Sequence, residues 1–231
     1  MQRLKCHPAR WGHPIPDKLT YVQGALLEPL SVVLRALELF RISLGSPVLI
    51  HGAGPIGLIT LAAARASGAH PLVITHLEPR RLDFARRFVP GCQTYLTQRN
   101  LDAQGNANGI RAVFGVGVRD QKTGSSKNET AAPSTVLECT GVESSIVTAA
   151  YACRRAGTLV IVGVGKSVMN NFPFMHLSLA EVIVTSFPIA PSRSQFRTLT
   201  PFLVYSCASY YTCQKPTLTG HVFLTRSNSD S

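Results

Sequence analysis

The stretch from Val48 to Arg81, VLIHGAGPIGLITLAAARASGAHPLVITHLEPRR, constrains the fold more than any other part of the chain. A short run, Val48 to His51, reads as a buried strand. The turn Gly52-Ala53-Gly54-Pro55-Ile56-Gly57 follows, then a small-residue helix to about Ser67 that Gly68 ends, then a second strand, Pro71 to Thr75. G-x-G-x-x-G is a weak pattern alone, but between a strand and a helix it has the context of a dinucleotide-binding turn. Gly52 permits the tight turn, Gly54 lets backbone approach a pyrophosphate, and Gly57 lets the helix pack close to the strand. The helix N-terminus then offers free N–H groups and a partial positive charge to phosphate. The spacing predicts a bound dinucleotide, with Pro55 and Ile56 beside it; it also fits a sharp strand-to-helix turn that holds no ligand.

An acid about 20 residues beyond such a turn ordinarily accepts the ribose hydroxyls of NAD. Here VITHLEPRR places His76 at that point. A neutral imidazole has one acceptor nitrogen and cannot replace a bidentate carboxylate. The exchange also removes a negative charge that would repel a 2′-phosphate, and Arg80 and Arg81 follow within a few residues. NAD remains the expected cofactor, with NADP tolerated because of His76. Glu78, swinging in as the acceptor, is the competing account.

Strand and helix patterns continue on both sides of this unit. Gly24 to Leu39 has apolar residues at helical spacing, with Glu28-Pro29 near its start. Arg80 to Phe88 reads as a helix, 134–141 as a strand, 142–155 as a helix and 158–165 as a strand; FPFMHLSLAEVIVTS adds a short helix and a last strand. Residues 97–134 are polar and glycine-rich, and read as one weak helix or strand in a long exposed loop. The alternation predicts an α/β fold, a Rossmann-type doubly wound parallel sheet with helices on both faces. Beyond about Ser186 the pattern decays.

Composition narrows the function classes. Of 231 residues, 45% are hydrophobic and 15% charged, which suits a folded chain. The formal net charge is +11, but the 23 basic residues are scattered rather than gathered on a helix or finger, so no nucleic-acid partner is expected. No apolar run reaches about 18 residues, so no membrane partner is expected either. The first residues carry no secretory pattern, and the six cysteines include no C-x-x-C pair, so buried free thiols in a cytoplasmic setting are expected.

Several stretches together carry a family resemblance: CHPARWGHPIPDKLTYVQGALLEPLSV, GSPVLIHGAGPIGLITL, LVITHLEPRRLDFARRFVP, LECTGVESSIV and GTLVIVGVGKSVMNNFPFMHLSLAEV. They resemble the polyol branch of the zinc-dependent medium-chain dehydrogenases, with the fungal L-arabinitol group nearest, over about residues 5–184. The resemblance implies oxidation of a secondary alcohol on a sugar alcohol, with hydride passing to NAD and a catalytic zinc as Lewis acid. It implies that Glu28 is the active-site glutamate and that Arg81 lies beside the adenosine ribose. Val162, Gly163 and Val164 match the strand end along the nicotinamide half. A homo-oligomer is the expected assembly. Glu28 also has a plainer account, as a favourable charge against a helix dipole.

The likeness has two departures. The zinc ligands of the family lie in a catalytic domain ahead of this point, so no metal ligand is assigned here; Cys6, His7 and His13 are weak substitutes. After about residue 185 the family pattern is lost. The expected organisation is therefore a catalytic-domain remnant over 1–30, a dinucleotide-binding domain over 31–186 and a divergent, poorly ordered tail over 187–231. A non-catalytic dinucleotide-binding fragment or associating subunit is the alternative function. A zinc-free reductase working on a carbonyl with NADPH is a weaker third reading.

Overall fold

The structure, a computed structural model, describes residues 15–40, 42–117 and 128–186. Cys6, His7, His13 and the expected tail lie outside the described residues. Residues 15–27 and the residues from Glu28 onward fall in separate compact units, each described by itself.

In the first unit, Thr20 caps helix α1 (Tyr21–Ala25). Its hydroxyl accepts the Gln23 N–H at 3.3 Å, and the Gln23 side-chain oxygen accepts the Thr20 N–H at 2.8 Å. This reciprocal pair satisfies two donors that a helix start leaves open. The single helix expected from Gly24 to Leu39 is in fact two, because α1 ends before Leu26 and α2 runs Leu27–Leu39. Pro29 stands in the first turn of α2, where its missing N–H costs nothing.

Six parallel strands form the core of the second unit: β1 (Val48–His51), β2 (Leu72–His76), β3 (Gln93–Leu96), β4 (Thr135–Glu138), β5 (Thr158–Ile161) and β6 (Ile183–Ser186). Their order is β3-β2-β1-β4-β5-β6, so the winding reverses between β1 and β4. Helices α3 (Pro55–Ala66) and α4 (Pro79–Phe88) follow β1 and β2; α5 (Ala103–Val113), α6 (Glu143–Ala152) and α7 (Phe174–Leu179) precede β4, β5 and β6. Val48, Ile50, Leu72, Ile74 and Leu137 pack in one apolar cluster with Val33 and Ala36 of α2, Leu61 and Ala64 of α3, and Leu82 and Ala85 of α4. The alternate residues Leu49, Val73, Val136 and Leu159 pack in a second cluster with Ile110 of α5, Ala149 and Ala150 of α6 and Leu177 of α7. Burial on both faces is why these strands read as unbroken apolar runs. The expected doubly wound parallel sheet is the fold found. Among the described residues, no helix is long and apolar enough to cross a membrane.

The one weak helix or strand expected within residues 97–134 is the helix α5, which is longer than its short apolar segment suggests. It is capped by Asp102, whose side chain accepts the Gly105 N–H at 2.7 Å. Two residues that suggest a loop serve packing instead. Asn106 is buried, accepts the Gln98 N–H at 2.8 Å and donates to the Gln98 carbonyl at 3.0 Å. At Gly109 a Cβ would stand 2.5 Å from the Tyr95 hydroxyl oxygen, so the helix needs the missing side chain there. The edge strand β3, with Gln93 and Leu96 exposed, carries too weak an apolar signal to be read from sequence.

Arg111 is the largest fully buried side chain among the described residues. Its guanidinium pairs with Glu129 and donates to the Ala152 carbonyl at 3.3 Å, which ties α5 to the end of α6 and to the turn at Glu129–Ala131. Removing one member of a buried pair strands the other, at roughly 3 kcal/mol. Arg111→Met is therefore expected to lower the urea midpoint by that equivalent; an unchanged midpoint contradicts a structural role for the pair.

Candidate functional site

The glycine turn sits at the carboxyl end of β1, where the sheet reverses direction. Gly52 has φ +98°, a conformation that side chains rarely adopt. At Gly57 a Cβ would lie 1.7 Å from the Gly52 carbonyl oxygen, so α3 meets the strand exit in backbone contact. Gly54 differs from both. A Cβ there would meet no atom of the described residues within 4 Å, so none of them requires a glycine at that position. Gly54 is also the N-cap of α3 and supplies no side-chain cap, and Pro55 fills the first helical position. The unpaired amides of the first turn thus open onto free space beside Gly54. Among the described residues, this arrangement fits the diphosphate of a dinucleotide.

His76 ends β2, one strand away from the turn. Its Nδ1 accepts the Glu78 N–H at 2.9 Å. Burial, and next the nearby Arg81, lower its pKa, against a smaller opposite effect of Glu78. The ring is therefore neutral at pH 7 and carries its proton on Nε2. It offers a donor to any ligand there, since its one acceptor is already engaged. Arg81 Nε donates to Glu78 at 3.3 Å, and one terminal nitrogen reaches the Ala53 carbonyl at 3.5 Å. The structure thus gathers His76, Glu78, Arg81 and the glycine turn, and holds Glu78 against Arg81.

The remaining predicted residues stand apart from that group. Val162 and Gly163, just past β5, donate their N–H groups to the Glu138 carbonyl at 2.8 and 2.9 Å, and Val164 is exposed. Glu28 lies exposed in the first turn of α2, where its carbonyl accepts the Ser31 hydroxyl at 2.6 Å. Among the described residues, no hydrogen bond links it to the glycine turn. An open cavity of about 810 Å³ adjoins the exits of β4 and β5, lined in part by Thr140, Gly141, Glu143, Val164, Gly165 and Lys166. Among the described residues, no three His, Cys, Asp or Glu side chains gather as a metal site requires. The described residues alone therefore do not fit the zinc that the family implies.

Sequence reasoning missed a buried polar rung at the end of the sheet. His51 pairs in register with Thr75 on one side and with Glu138 on the other, and all three are buried. His51 Nδ1 lies 3.1 Å from the Thr75 hydroxyl and 3.3 Å from the Ser145 hydroxyl, while its buried Nε2 meets no partner among the described residues. Cys139, next along β4, lies 3.9 Å from the Thr60 hydroxyl; burial pushes its thiol up to about 12, which leaves it unreactive.

Burial lowers the His51 pKa from 6.5 to about 4. Between those values the unfolded chain binds the extra proton, so stability is full above 6.5 and is lost as the pH falls toward 4. That window corresponds to roughly 3 kcal/mol. His51→Asn, which keeps a donor for Ser145, is expected to flatten the fall in Tm between pH 6.5 and pH 4. Equal slopes in both proteins contradict the assignment.

Comparison with known proteins agrees with the fold. The family model described as zinc-binding dehydrogenase matches residues 55–204. An L-arabinitol 4-dehydrogenase of Aspergillus oryzae is 48% identical over 182 residues, covering 79% of this chain and 46% of the relative. A sorbitol dehydrogenase of Bos taurus is 38% identical over 180 residues, covering 78% and 46%. A zinc-binding dehydrogenase-type structure from Sinorhizobium meliloti 1021, bound to NADP, superposes with a TM-score of 0.60 at 25% identity, covering 82% of this chain and 51% of that one. The chain spans about half the length of the curated relatives it matches. On this match and on the fold, the chain belongs to the zinc-binding dehydrogenase family.

Proposed function

We propose that this chain is the nucleotide-binding part of a polyol dehydrogenase that moves hydride from a secondary alcohol to a nicotinamide dinucleotide. The observation that carries the proposal is the open space at Gly54, in front of the uncapped start of α3. Gly52 and Gly57 shape that turn, and the amides of Ile56 and Gly57 face the diphosphate. His76 and Arg81 lie against the adenosine ribose, while Val162, Gly163 and Val164 border the other end. When bound, the nicotinamide ring supplies the hydride acceptor. Glu28 is the candidate active-site carboxylate; a zinc of the kind the family uses would draw its ligands from outside the described residues.

Two relatives that act on different sugar alcohols favour a polyol over any single substrate, and L-arabinitol is the first to test. A cytoplasmic setting and a homo-oligomer complete the proposal. On cofactor choice, His76 turns a donor toward the ligand and lacks the two acceptors that favour NAD. Forgoing a hydrogen bond to a charged group costs roughly 1.5–3 kcal/mol, about tenfold or more in affinity. NAD is thus bound without its usual advantage, and NADP is tolerated through Arg80 and Arg81.

Titration of the chain with NADH and NADPH, followed by nicotinamide fluorescence, tests both points. The two should bind with dissociation constants within about fivefold, and His76→Asp should shift the ratio toward NADH by about tenfold or more. A chain that binds neither contradicts the proposed function. A strong preference for NADH in the unaltered chain contradicts only the role given to His76.

A further inference from the structure

Glu138 is fully buried at the last rung of β4 and, among the described residues, makes no ion pair. A buried carboxylate without a cation is costly unless donors saturate it. Glu138 is saturated, and by particular partners. One oxygen accepts the Thr140 N–H at 3.0 Å, the Thr140 hydroxyl, and the Ser145 hydroxyl at 2.8 Å. The other accepts the Gly141 N–H at 2.8 Å. Because Ser145 donates to Glu138, it is the acceptor toward His51 Nδ1, so the chain of bonds runs back to β1. The Glu138 main-chain carbonyl meanwhile accepts the N–H groups of Val162 and Gly163. A single residue therefore holds the exits of both β4 and β5.

Those exits also touch each other directly. A Cβ on Gly163 would stand 2.1 Å from the Gly141 nitrogen, and one on Gly141 would stand 2.4 Å from the Val164 carbonyl carbon. Neither turn can shift without the other. Strand order then says which part of a ligand they serve. The diphosphate site is at the exit of β1, and His76 at the exit of β2 lies on one side of it. A dinucleotide laid across the reversal point extends its other half over the exits of β4 and β5.

We propose that Glu138 is a positioning residue for that second half: its carboxylate and carbonyl fix the paired turns 140–141 and 162–164 against which the nicotinamide nucleoside lies. The inference rests on the dinucleotide reading of the glycine turn. A carboxylate suits this place because all four side-chain partners are donors. A glutamine would turn an N–H₂ group toward at least one of them and loosen one turn.

The test compares NADH with ADP-ribose, which keeps the adenosine and diphosphate but lacks the nicotinamide ring. Glu138→Gln is expected to weaken NADH binding about tenfold and to leave ADP-ribose within about twofold. Ser145→Ala, which removes one bond of the four, should change the same ratio by about threefold and serves if the glutamine variant does not fold. A merely structural role would weaken both ligands alike, or neither, and either result overturns the inference. An unaltered chain that binds neither ligand instead overturns the dinucleotide reading itself, and this inference with it.

Discussion

Helix α3 begins in backbone contact with the end of β1. The Gly52 carbonyl occupies the space where any side chain at Gly57 would go, and this contact fixes the direction in which the helix leaves the sheet. The consequences spread outward from it. Leu61 and Ala64 of the helix reach the apolar cluster, while its first turn has no side-chain cap. A position that the protein does not need to keep small, Gly54, faces the same opening. Packing accounts for two glycines of the turn, and the proposed dinucleotide would account for the third.

The polar residues at the sheet edge follow a similar division. Below the last rung the central strands β1 and β2 are apolar on both faces, as a parallel sheet covered by helices requires. At the last rung, Thr75, His51 and Glu138 replace apolar residues and remain buried. Thr75 and His51 bond each other, His51 also meets Ser145 of α6, and Glu138 holds the turn that leaves β4. His76, one residue further along β2, is committed in the same way, because the Glu78 N–H occupies its acceptor. The rim of the cleft is therefore set by side chains that are themselves held, which is how a binding surface keeps its shape before the ligand arrives.

Much of this was legible in the sequence because periodicity and glycine spacing report backbone geometry directly. The strand-turn-helix unit at 48–66, the helices after it and the parallel sheet all follow from local pattern. Helix α5 was legible only as one weak helix or strand because Asn106 and Gly109 pack against β3 and the loop before α5, a tertiary reason that no local pattern carries. The polar rung was hidden for a related reason. His51, Thr75 and Glu138 lie on three strands far apart in sequence, and only the register brings them together. Glu28 was singled out through resemblance, and among the described residues no hydrogen bond ties it to the cleft.

The central claim is that Gly54 is small for the sake of a ligand and not for the fold. Calorimetric titration of the Gly54→Ala variant with ADP-ribose, alongside its thermal unfolding, tests this most directly. The account predicts a Tm within about 2 °C of the unaltered chain, because the added methyl meets no atom of the described residues, and binding weakened at least about tenfold. Undiminished binding in a folded variant would contradict it.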